Sequence, residues 1–373
     1  MHIKCERKEL QTALQSVIGA TTNKSVLDVT NNFLLVAKLP NILEIISSNH
    51  ELTLKTQILC RVEVEGKVTA PAKQLFDIIK ECESSEVDYD IEIKVNVDSR
   101  VTIKNLKTKF NLMGLDSSGF PGIVEPSDID SISINKKSLH DLVQKTLNSV
   151  SMDILKPILT GININISNNE ITLVSTDGRR LSIAKDSVEN KDLIINCIVP
   201  LNAMKELVKF LNNDIKGNVL MSMKDNQIIF VTDDKFLSSK LIDGNYINYK
   251  ALIPNESKYI IEINRDRLYK SVKKVSLMRD KKNSTQMKFM LENNKLTMTV
   301  HSGLIGNASD EIDVLWENES FYTAYNPEFI IEFLDNILSE TINLSLIAPS
   351  SMALIKEKGN ENLIYMFMPM RVN

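Results

Sequence analysis

The residues that could carry acid–base, nucleophilic or metal chemistry are scattered along the 373-residue chain. Its four histidines stand at positions 2, 50, 140 and 301, and neither a phosphate-binding glycine loop nor a zinc-protease helix motif is present. Asp177 beside Arg180 could imitate a catalytic pair, but one carboxylate at a turn is not a dyad. We therefore predict no enzyme activity, no cofactor and no metal site.

The four cysteines have no close spacing that would suit a zinc knuckle or a disulfide framework. They are Cys5, Cys60, Cys82 and Cys197. We predict that all four are reduced thiols in the core of the protein.

The bulk composition is that of an ordinary soluble globular protein, with a net charge of −4. This charge excludes a uniformly basic DNA-coating protein but allows a local basic surface. The sequence turns polar directly after Met1, and no apolar run approaches the ~20 residues of a membrane span. We expect a cytoplasmic protein with no membrane partner.

The elements that must position any functional residue come in three similar copies. The copies open with the amphipathic segments Cys5–Leu10, Ile134–Leu139 and Ile263–Leu268, whose leucines are 129 residues apart both times. A second landmark recurs at Pro71–Phe76, Pro200–Lys205 and Tyr325–Ile330. A third links Phe110 and Phe236. So long a period indicates a triplicated domain, and we predict domains at 1–125, 126–253 and 254–373.

Each copy has the pattern strand, helix, strands, helix, strands. The apolar spacing predicts helices at Lys8–Ile18, Lys73–Cys82, Ser138–Val150, Asn202–Leu211, Arg265–Val275 and Asn326–Leu338. The last of these starts with an asparagine N-cap followed by proline. Strands outnumber helices, which predicts an α+β fold of antiparallel sheets with helices on one face.

Several motifs in this order resemble the bacterial DNA polymerase III β sliding clamp family. They are Glu6-Arg7, Phe120-Pro121, Thr176–Leu181, Lys240–Gly244 and Met368–Arg371, on a layout of three equal copies. The resemblance covers the whole chain and implies three tandem DNA-clamp domains, each with two helices lining a ring and antiparallel sheets outside. It also implies a head-to-tail homodimer that encircles duplex DNA without sequence specificity and tethers the replicative polymerase, without catalysis.

The resemblance further implies a groove for a short extended peptide that carries a glutamine and apolar residues. The replicative polymerase, the clamp loader and repair proteins would bind there. Leucine and methionine suit an adaptable apolar groove, with arginine and backbone groups as polar anchors. Carried over residue by residue, the groove is Leu159, Thr176, Gly178, Arg179, Arg180, Leu181, Ile247, Leu252, Met352, Met366, Met368, Pro369, Met370 and Arg371.

Three positions depart from the family pattern and leave the peptide preference open. Tyr246–Tyr249 replaces the usual Phe-Pro-Asp-Tyr, Ala251 stands where many members have arginine, and Arg179 stands where histidine is common. Taken without the resemblance, Thr176–Leu181 is typical of a hairpin with an Asp-Gly turn. Leu363–Met370 is then typical of a core strand, and both structures are compatible with a groove.

Lysines at helical spacing form a second candidate site. Lys205 with Lys209, and Lys270 with Lys274, are four residues apart and share a helix face. Taken alone, such faces are usually solvated. The ring implied by the resemblance turns them toward DNA, where they would contact phosphate only. The DNA-facing set is Lys24, Lys73, Lys80, Lys145, Lys156, Lys205, Lys209, Lys270, Lys274, Arg279, Lys281 and Lys282.

The last helix is an exception, because Glu328, Glu332 and Asp335 make its polar face acidic. The dimer contact implied by the resemblance joins copy one to copy three of the partner. Its residues are Lys107, Lys109 and Phe110 on one side, and Leu277, Met278, Asp310 and Glu311 on the other. Ser302–Asn307 replaces an acidic cluster of relatives, which predicts a less ionic interface or a weaker dimer.

Two alternatives stay open at this point. One is a triplicated partner-binding scaffold that keeps the methionine-rich groove but never encircles DNA. The other is a repeat-built hydrolase that uses Asp177.

Overall fold

The computed structural model describes residues 1–22, 29–84, 90–122, 130–189, 193–212, 216–254, 256–279, 286–303 and 305–371. These ranges form six α-helices and 25 strands, and every strand pair is antiparallel. The predicted α+β class is therefore confirmed. Within the same ranges, no helix has the length and apolar character needed to span a lipid bilayer.

All six predicted helices are present, with different ends in some cases. They are α1 (Arg7–Val17), α2 (Ala72–Glu81), α3 (Lys136–Leu147), α4 (Leu201–Asn212), α5 (Arg265–Val275) and α6 (Pro327–Asp335). The prediction that α3 reaches Val150 was wrong, because the chain tightens to i→i−3 hydrogen bonds after Leu147. The prediction that α6 reaches Leu338 was also wrong, since the Asn336 side chain donates to the Glu332 carbonyl and Leu338 is exposed.

The strands fall into the three copies. Copy one has β1 (His2–Cys5), β2 (Asn32–Lys38), β3 (Ile42–Ser48), β4 (Leu52–Leu59), β5 (Arg61–Val64), β6 (Gly66–Pro71), β7 (Ile91–Val95), β8 (Arg100–Asn105) and β9 (Thr108–Met113). Copy two has β10 (Ser131–Asn135), β11 (Gly161–Ser167), β12 (Glu170–Thr176), β13 (Arg180–Ser187), β14 (Ile195–Pro200), β15 (Asn218–Lys224), β16 (Gln227–Val231) and β17 (Lys235–Lys240). Copy three has β18 (Tyr259–Asn264), β19 (Met287–Glu292), β20 (Lys295–Ser302), β21 (Gly306–Asp313), β22 (Phe321–Tyr325), β23 (Thr341–Leu346), β24 (Ala353–Glu357) and β25 (Leu363–Phe367).

One compact unit comprises residues 1–137 and 205–241. It contains a five-stranded sheet, β5-β1-β7-β8-β9, and an eight-stranded sheet, β10-β15-β16-β17-β4-β3-β2-β6. Copies one and two meet inside the larger sheet, where β17 pairs with β4 and Leu237 lies opposite Leu54. The buried face of α1, with Leu10 and Leu14, packs on β3 and β4.

The other unit comprises residues 138–204 and the chain from Ile242 onward. Its eight-stranded sheet has the order β14-β11-β12-β13-β25-β24-β23-β18, and a four-stranded sheet has the order β21-β20-β19-β22. Copies two and three meet where β13 pairs with β25, with Leu181 opposite Met366. Helices α5 and α6 pack against each other in this unit.

The strand orders repeat from copy to copy. Each copy has one half-sheet of the type β10-β15-β16-β17 and one of the type β14-β11-β12-β13, which supports the triplication. Each eight-stranded sheet takes a half from each of two successive copies. The strands of copy two are thus divided between the two units, and the domain limits at 1–125, 126–253 and 254–373 stay a prediction.

The four cysteines are buried and free, as predicted. Burial raises the pKa of the Cys60 thiol to about 11 and that of Cys197 to about 12. The pKa values of Cys5 and Cys82 are also raised by burial. The thiolate form, which is the reactive one, is therefore suppressed at all four positions.

Candidate functional site

The hairpin between β12 and β13 is closed by its own side chains, which confirms the predicted Asp-Gly turn. Oδ1 of Asp177 accepts hydrogen bonds from the backbone N–H groups of Arg179, at 2.8 Å, and of Arg180, at 3.0 Å. The Thr176 hydroxyl donates to the Arg180 carbonyl at 2.5 Å, and Gly178 adopts a left-handed φ of +86°. Asp177 is thus a turn-closing residue, because both of its oxygens are engaged inside the hairpin.

An apolar cluster lies beside this hairpin. Its buried members are Val174, Leu181, Ile183, Leu354 and Met366, and the partly buried Tyr246, Tyr249, Ile253, Met352 and Ile364 pack against it. The structure therefore brings together three predicted groove residues, Leu181, Met352 and Met366. The other members were missed, although the alternation of apolar residues along β12, β13 and β24 could have identified those on the strands.

The chain after β25 is hydrogen-bonded to the hairpin and to β22. The Met368 amide donates to the Arg179 carbonyl at 2.8 Å, and the Met370 amide donates to the Ala324 carbonyl at 2.7 Å. Met368 is 46% exposed, and Pro369 and Met370 are half-buried. The C-terminal run thus includes the core strand β25, as expected, and the expectation that its extension lines a groove stays a prediction.

The other predicted groove residues differ in exposure. Leu159 and Thr176 are buried, and Ile247 is half-buried. Leu252, in the short turn Tyr249–Leu252, is exposed. The remaining exposed ones are Gly178, Arg179 and Arg371.

The side chain of Arg180 is largely withdrawn from solvent and is held by groups of its own chain, and its place in the groove stays a prediction. Its side chain is only 12% exposed, and its Nε donates to Oδ2 of Asp177 at 3.1 Å. Its Nη1 pairs with the carboxylate of Glu332 on α6, and its guanidinium lies 4.4 Å from the centre of the Phe329 ring. The pKa of Arg180 is raised above its ordinary value. Burial alone would lower it, but the nearby Tyr365 and Glu332 raise it by more than burial lowers it. Arg179 is left as the exposed cation of the hairpin.

The tyrosines at the cluster are held neutral. Burial raises the pKa values of Tyr246 and Tyr249 above their ordinary range. For Tyr246 the nearby Thr176 backbone lowers the pKa by a smaller amount. The cluster therefore offers apolar and neutral surface, which suits apolar peptide side chains.

Most predicted DNA-facing lysines in the described ranges are exposed. Lys73 and Lys80 lie on α2, Lys205 and Lys209 on α4, Lys270 and Lys274 on α5, and Lys156 in the loop after α3; Lys145 is half-buried on α3. Two of them have local carboxylate partners, since Lys209 donates to Glu206 at 2.7 Å and Lys274 pairs with Asp310 at 3.1 Å. Lys24, Lys281 and Lys282 lie outside the described residues.

The side chain of Arg279 likewise has partners in its own chain, and its DNA-facing role stays a prediction. Its side chain is 14% exposed, pairs with Glu328 and donates to the Asn326 side chain at 3.3 Å. Glu328 and Glu332 of α6 are therefore each matched by an arginine of the same unit. The acidic face of α6 carries less free charge than the sequence indicates.

The predicted dimer residues lie at two sheet edges and beside them. Lys109 and the half-buried Phe110 are on the edge strand β9, and Lys107 is in the turn before it. Asp310 and Glu311 are on the edge strand β21. Leu277 and Met278 form an exposed apolar turn that packs near β21, and Leu277 is 77% exposed.

Each edge has a distinct local environment. A groove of ≈ 530 Å³ lies beside Phe110 and is lined in part by Cys82 and Leu106. The pKa of Asp310 is lowered, chiefly because the Ser271 hydroxyl donates to it, with Lys274 adding to the effect. Glu311 pairs with Lys295 at 2.8 Å.

No group of three or more histidine, cysteine, aspartate or glutamate side chains that could hold a metal ion occurs among the described residues.

Comparison with known proteins identifies relatives over the whole length. Models of the DNA polymerase III beta subunit match residues 1–124 as its N-terminal domain, 133–248 as its central domain and 250–371 as its C-terminal domain. The chain is 27% identical to a beta sliding clamp of Pseudomonas putida, over 100% of both chains. Its fold is similar to the crystal structure of a DNA polymerase sliding clamp from Bacillus subtilis (TM-score 0.93, 22% identity, 100% of both chains). It is also similar to a Pseudomonas aeruginosa sliding clamp bound to griselimycin (TM-score 0.92, 24% identity, 100% of both chains).

Proposed function

The chain belongs to the DNA polymerase III beta subunit family, the bacterial sliding clamps, and we propose that two chains associate head to tail into a ring around duplex DNA. A sliding clamp is a non-catalytic processivity subunit. It keeps the polymerase on the template in two ways: the ring encircles the DNA, and a surface of the ring binds the polymerase. The setting we propose is the cytoplasm, where a bacterial chromosome is replicated.

The observation that carries the ring is a pair of open sheet edges. In each eight-stranded sheet, the last strand of one copy's half pairs with the end strand of the preceding copy's half: β17 with β4, and β25 with β13. By the same rule, β9 and β21 each have an unfilled position at the edge of their sheets in the described part of the chain. In a dimer, β9 of each chain would pair with β21 of the other. These two pairings would fill all four open edges and close the assembly.

The repeat supports a specific register for this pairing. Counted across the paired strands from the equivalent residues Cys5 and Ile134, Phe110 has the place of Leu237, which lies opposite Leu54 in the β17–β4 pair. Counted in the same way from Ala70 and Tyr325, which lie two residues before α2 and α6, Leu54 corresponds to Ala308. Phe110 would then lie opposite Ala308 of the partner chain, and Lys107 would lie opposite Glu311.

A direct test of the ring is the molar mass by light scattering, with Phe110→Asp as the disrupting variant. We expect the wild type to have twice the chain mass of 42.1 kDa and the variant to be a monomer that is not retained on circular DNA. Val97→Asp, in the fully exposed turn between β7 and β8, is the matched control. A wild type that stays monomeric at all concentrations and on DNA would refute the ring.

We propose that the exposed lysines of α2, α4 and α5 contact DNA phosphates inside this ring. Such contacts carry no sequence information, and many weak ones permit sliding. Lys73, Lys205 and Lys270 are exposed examples on three different helices. Lys209 and Lys274 would contribute less, since each has a carboxylate partner.

We propose that the apolar cluster beside the Thr176–Arg180 hairpin binds the peptides of the replicative polymerase, the clamp loader and repair proteins. The support is a cluster of apolar side chains that includes Leu181 and Met366, the sequence neighbours of the exposed Arg179 and Met368. Fluorescence polarisation of a labelled peptide containing glutamine and apolar residues tests this groove. We expect Leu181→Asp to lose peptide binding. Wild-type protein that does not bind the peptide would contradict the proposal.

The alternative function is a partner-binding scaffold that does not encircle DNA. It is favoured by the internal pairing of Lys209, Lys274 and Arg279, which reduces the free positive charge. Charge reversal at Lys205 and Lys270 separates the two functions. Unchanged loading on primed circular DNA would favour the scaffold.

A further inference from the structure

The internal junction at which β13 pairs with β25 has a layer of helices as well as a layer of strands. A small cavity of ≈ 10 Å³ lies there, lined by Lys145 and Asn148 from copy two and by Glu332 and Tyr365 from copy three, among others. The side chain of Asn148, directly after α3, donates to the Glu332 carbonyl at 3.5 Å. The end of α3 therefore meets α6 at this junction.

The other internal junction, at which β17 pairs with β4, has the same contact between helices. Glu206 of α4 is buried, and its carboxyl group lies against Gly19 in the turn after α1: a Cβ atom at Gly19 would lie 2.2 Å from the carboxyl carbon. Gly19 and Asn148 are equivalent, since each stands nine residues after the leucine of its copy's opening segment. Glu206 and Glu332 are equivalent too, since each is the sixth residue of its helix.

The groove beside Phe110 is the open counterpart of this cavity. Counted across the paired strands from the equivalent residues Cys5 and Ile263, Phe110 has the place of Tyr365. Both residues line their respective spaces, but the groove has ≈ 530 Å³ and the cavity only ≈ 10 Å³. In the proposed ring, the preceding copy that closes the groove is copy three of the partner chain.

The repeat then brings Asp77 of α2 to the end of the partner's α5. Asp77 is the sixth residue of α2, and Leu277 stands nine residues after the leucine of the third opening segment. Both are exposed, as residues of an unfilled junction should be. Lys274 has the place of the cavity residue Lys145. Its side chain is 61% exposed and pairs with Asp310 of the edge strand β21 at 3.1 Å.

The cation that meets the acidic residue differs between the two internal junctions. Glu332 pairs with Arg180, which belongs to the preceding copy. In copy one, Ser16 stands where copy two has its cavity lysine. Glu206 pairs instead with Lys209 of its own helix, at 2.7 Å. The acidic residue thus takes its cation from the preceding copy at one junction and from its own helix at the other.

We propose that Asp77 of each chain forms an ion pair with the partner's Lys274 in the helix layer of the ring. This inference rests on the ring proposed above. Lys80 is the alternative cation, because it has the place of Lys209 on its own helix. Lys274 is favoured since it occupies the cavity position and Asp310 holds its ammonium group beside the strand that would join the partner. Lys274 then serves the chain junction, not the DNA.

The test is a double-mutant cycle on the dimer dissociation constant, measured by sedimentation of the full-length protein at low salt. The variants are Asp77→Asn, Lys274→Met and the combination of both. Because a dimer contains the junction twice, we expect each single substitution to weaken the dimer about tenfold, and the double variant to be no weaker than either single variant. These differences should shrink at ~1 M salt, where the Debye length is ~3 Å.

Two further variants make the assignment specific. Asp225→Asn, in the exposed turn between β15 and β16, is the matched control and should leave the dissociation constant unchanged. Lys80→Met should change it by less than about twofold. Strict additivity of Asp77→Asn and Lys274→Met, or coupling of Asp77 to Lys80 in place of Lys274, would overturn the ion pair while a dimeric wild type still supported the ring. A wild type that stays monomeric would refute the ring itself.

Discussion

At the scale of single residues, charged side chains that could have served catalysis or ligand binding have structural roles. Asp177 closes a turn, and Arg180 ties that turn to a helix far away in sequence. Arg279 has the same relation to Glu328. In each case, a charged group that the sequence suggested for catalysis or for ligand binding is already matched by a group of the same chain.

Asp177→Ala should destabilise the protein and weaken peptide binding, because two backbone N–H groups and Arg180 lose their acceptor. We expect a loss of about 1–2 kcal/mol in the free energy of unfolding, measured by urea denaturation. Asp177→Asn is the control, since its side-chain oxygen can still accept from the two backbone N–H groups while the acceptor for the Arg180 Nε is lost. If alanine and asparagine were equally benign, the hairpin closure would not matter for stability.

Glu92 should make stability fall on acidification. Lys94, followed by His2 and Lys104, lowers the pKa of Glu92 from 4.5 to about 2. A depressed carboxyl pKa stabilises the fold above the unfolded-state pKa, and this contribution is lost as the pH falls through the folded-state value. Glu92→Gln should therefore flatten the dependence of the urea midpoint on pH between about 4.5 and 2. A variant with the same slope as wild type there would contradict this assignment.

At the scale of elements, the strand and helix order followed from the sequence because its causes are local. Apolar spacing located all six helices, and the Asn326 side chain caps α6 as its type and position predicted. The pairing of β17 with β4 and of β25 with β13 could not be predicted in this way, because no local pattern encodes which edges meet. The same holds for the Arg180–Glu332 pair, whose members are too distant in sequence for any spacing rule.

The proposed register of β9 and β21 makes a charge-swap prediction. Lys107→Glu should weaken the dimer about fivefold, because it places two carboxylates opposite each other across the strands. Adding Glu311→Lys should restore part of the loss, measured as the dimer dissociation constant by sedimentation. Glu311 also pairs with Lys295 inside the chain, so the coupling is read from the full double-mutant cycle. Strict additivity would refute this register.

At the scale of the whole molecule, a modest net negative charge coexists with helix faces that carry exposed lysines. A clamp with a net negative charge should bind DNA phosphate weakly and depend on encirclement for retention. Most of the triplicated fold followed from the sequence period. The division of copy two between two sheets did not, because sheet membership depends on contacts between copies.

Salt dependence should report how many phosphates the protein neutralises. Lys205→Ala with Lys270→Ala should reduce the slope of log affinity for linear duplex DNA against log salt, by about 0.9 for each phosphate that is no longer neutralised. Lys224→Ala with Lys240→Ala, at exposed strand ends, is the control and should leave the slope unchanged. Equal slopes in both double variants would mean that α4 and α5 do not contact DNA.

The ladders β4–β17 and β13–β25 have a consequence for how rings could vary between species. Where copies join through backbone hydrogen bonds, the strength of the junction depends little on side-chain identity. Side-chain substitutions at such a junction therefore cost little stability, and relatives at 27% identity can keep the same architecture. If β9 and β21 join chains in the same way, recognition of self would depend on a few flanking side chains such as Phe110 and Leu277. Exchange of those side chains between two species should then suffice to produce mixed rings.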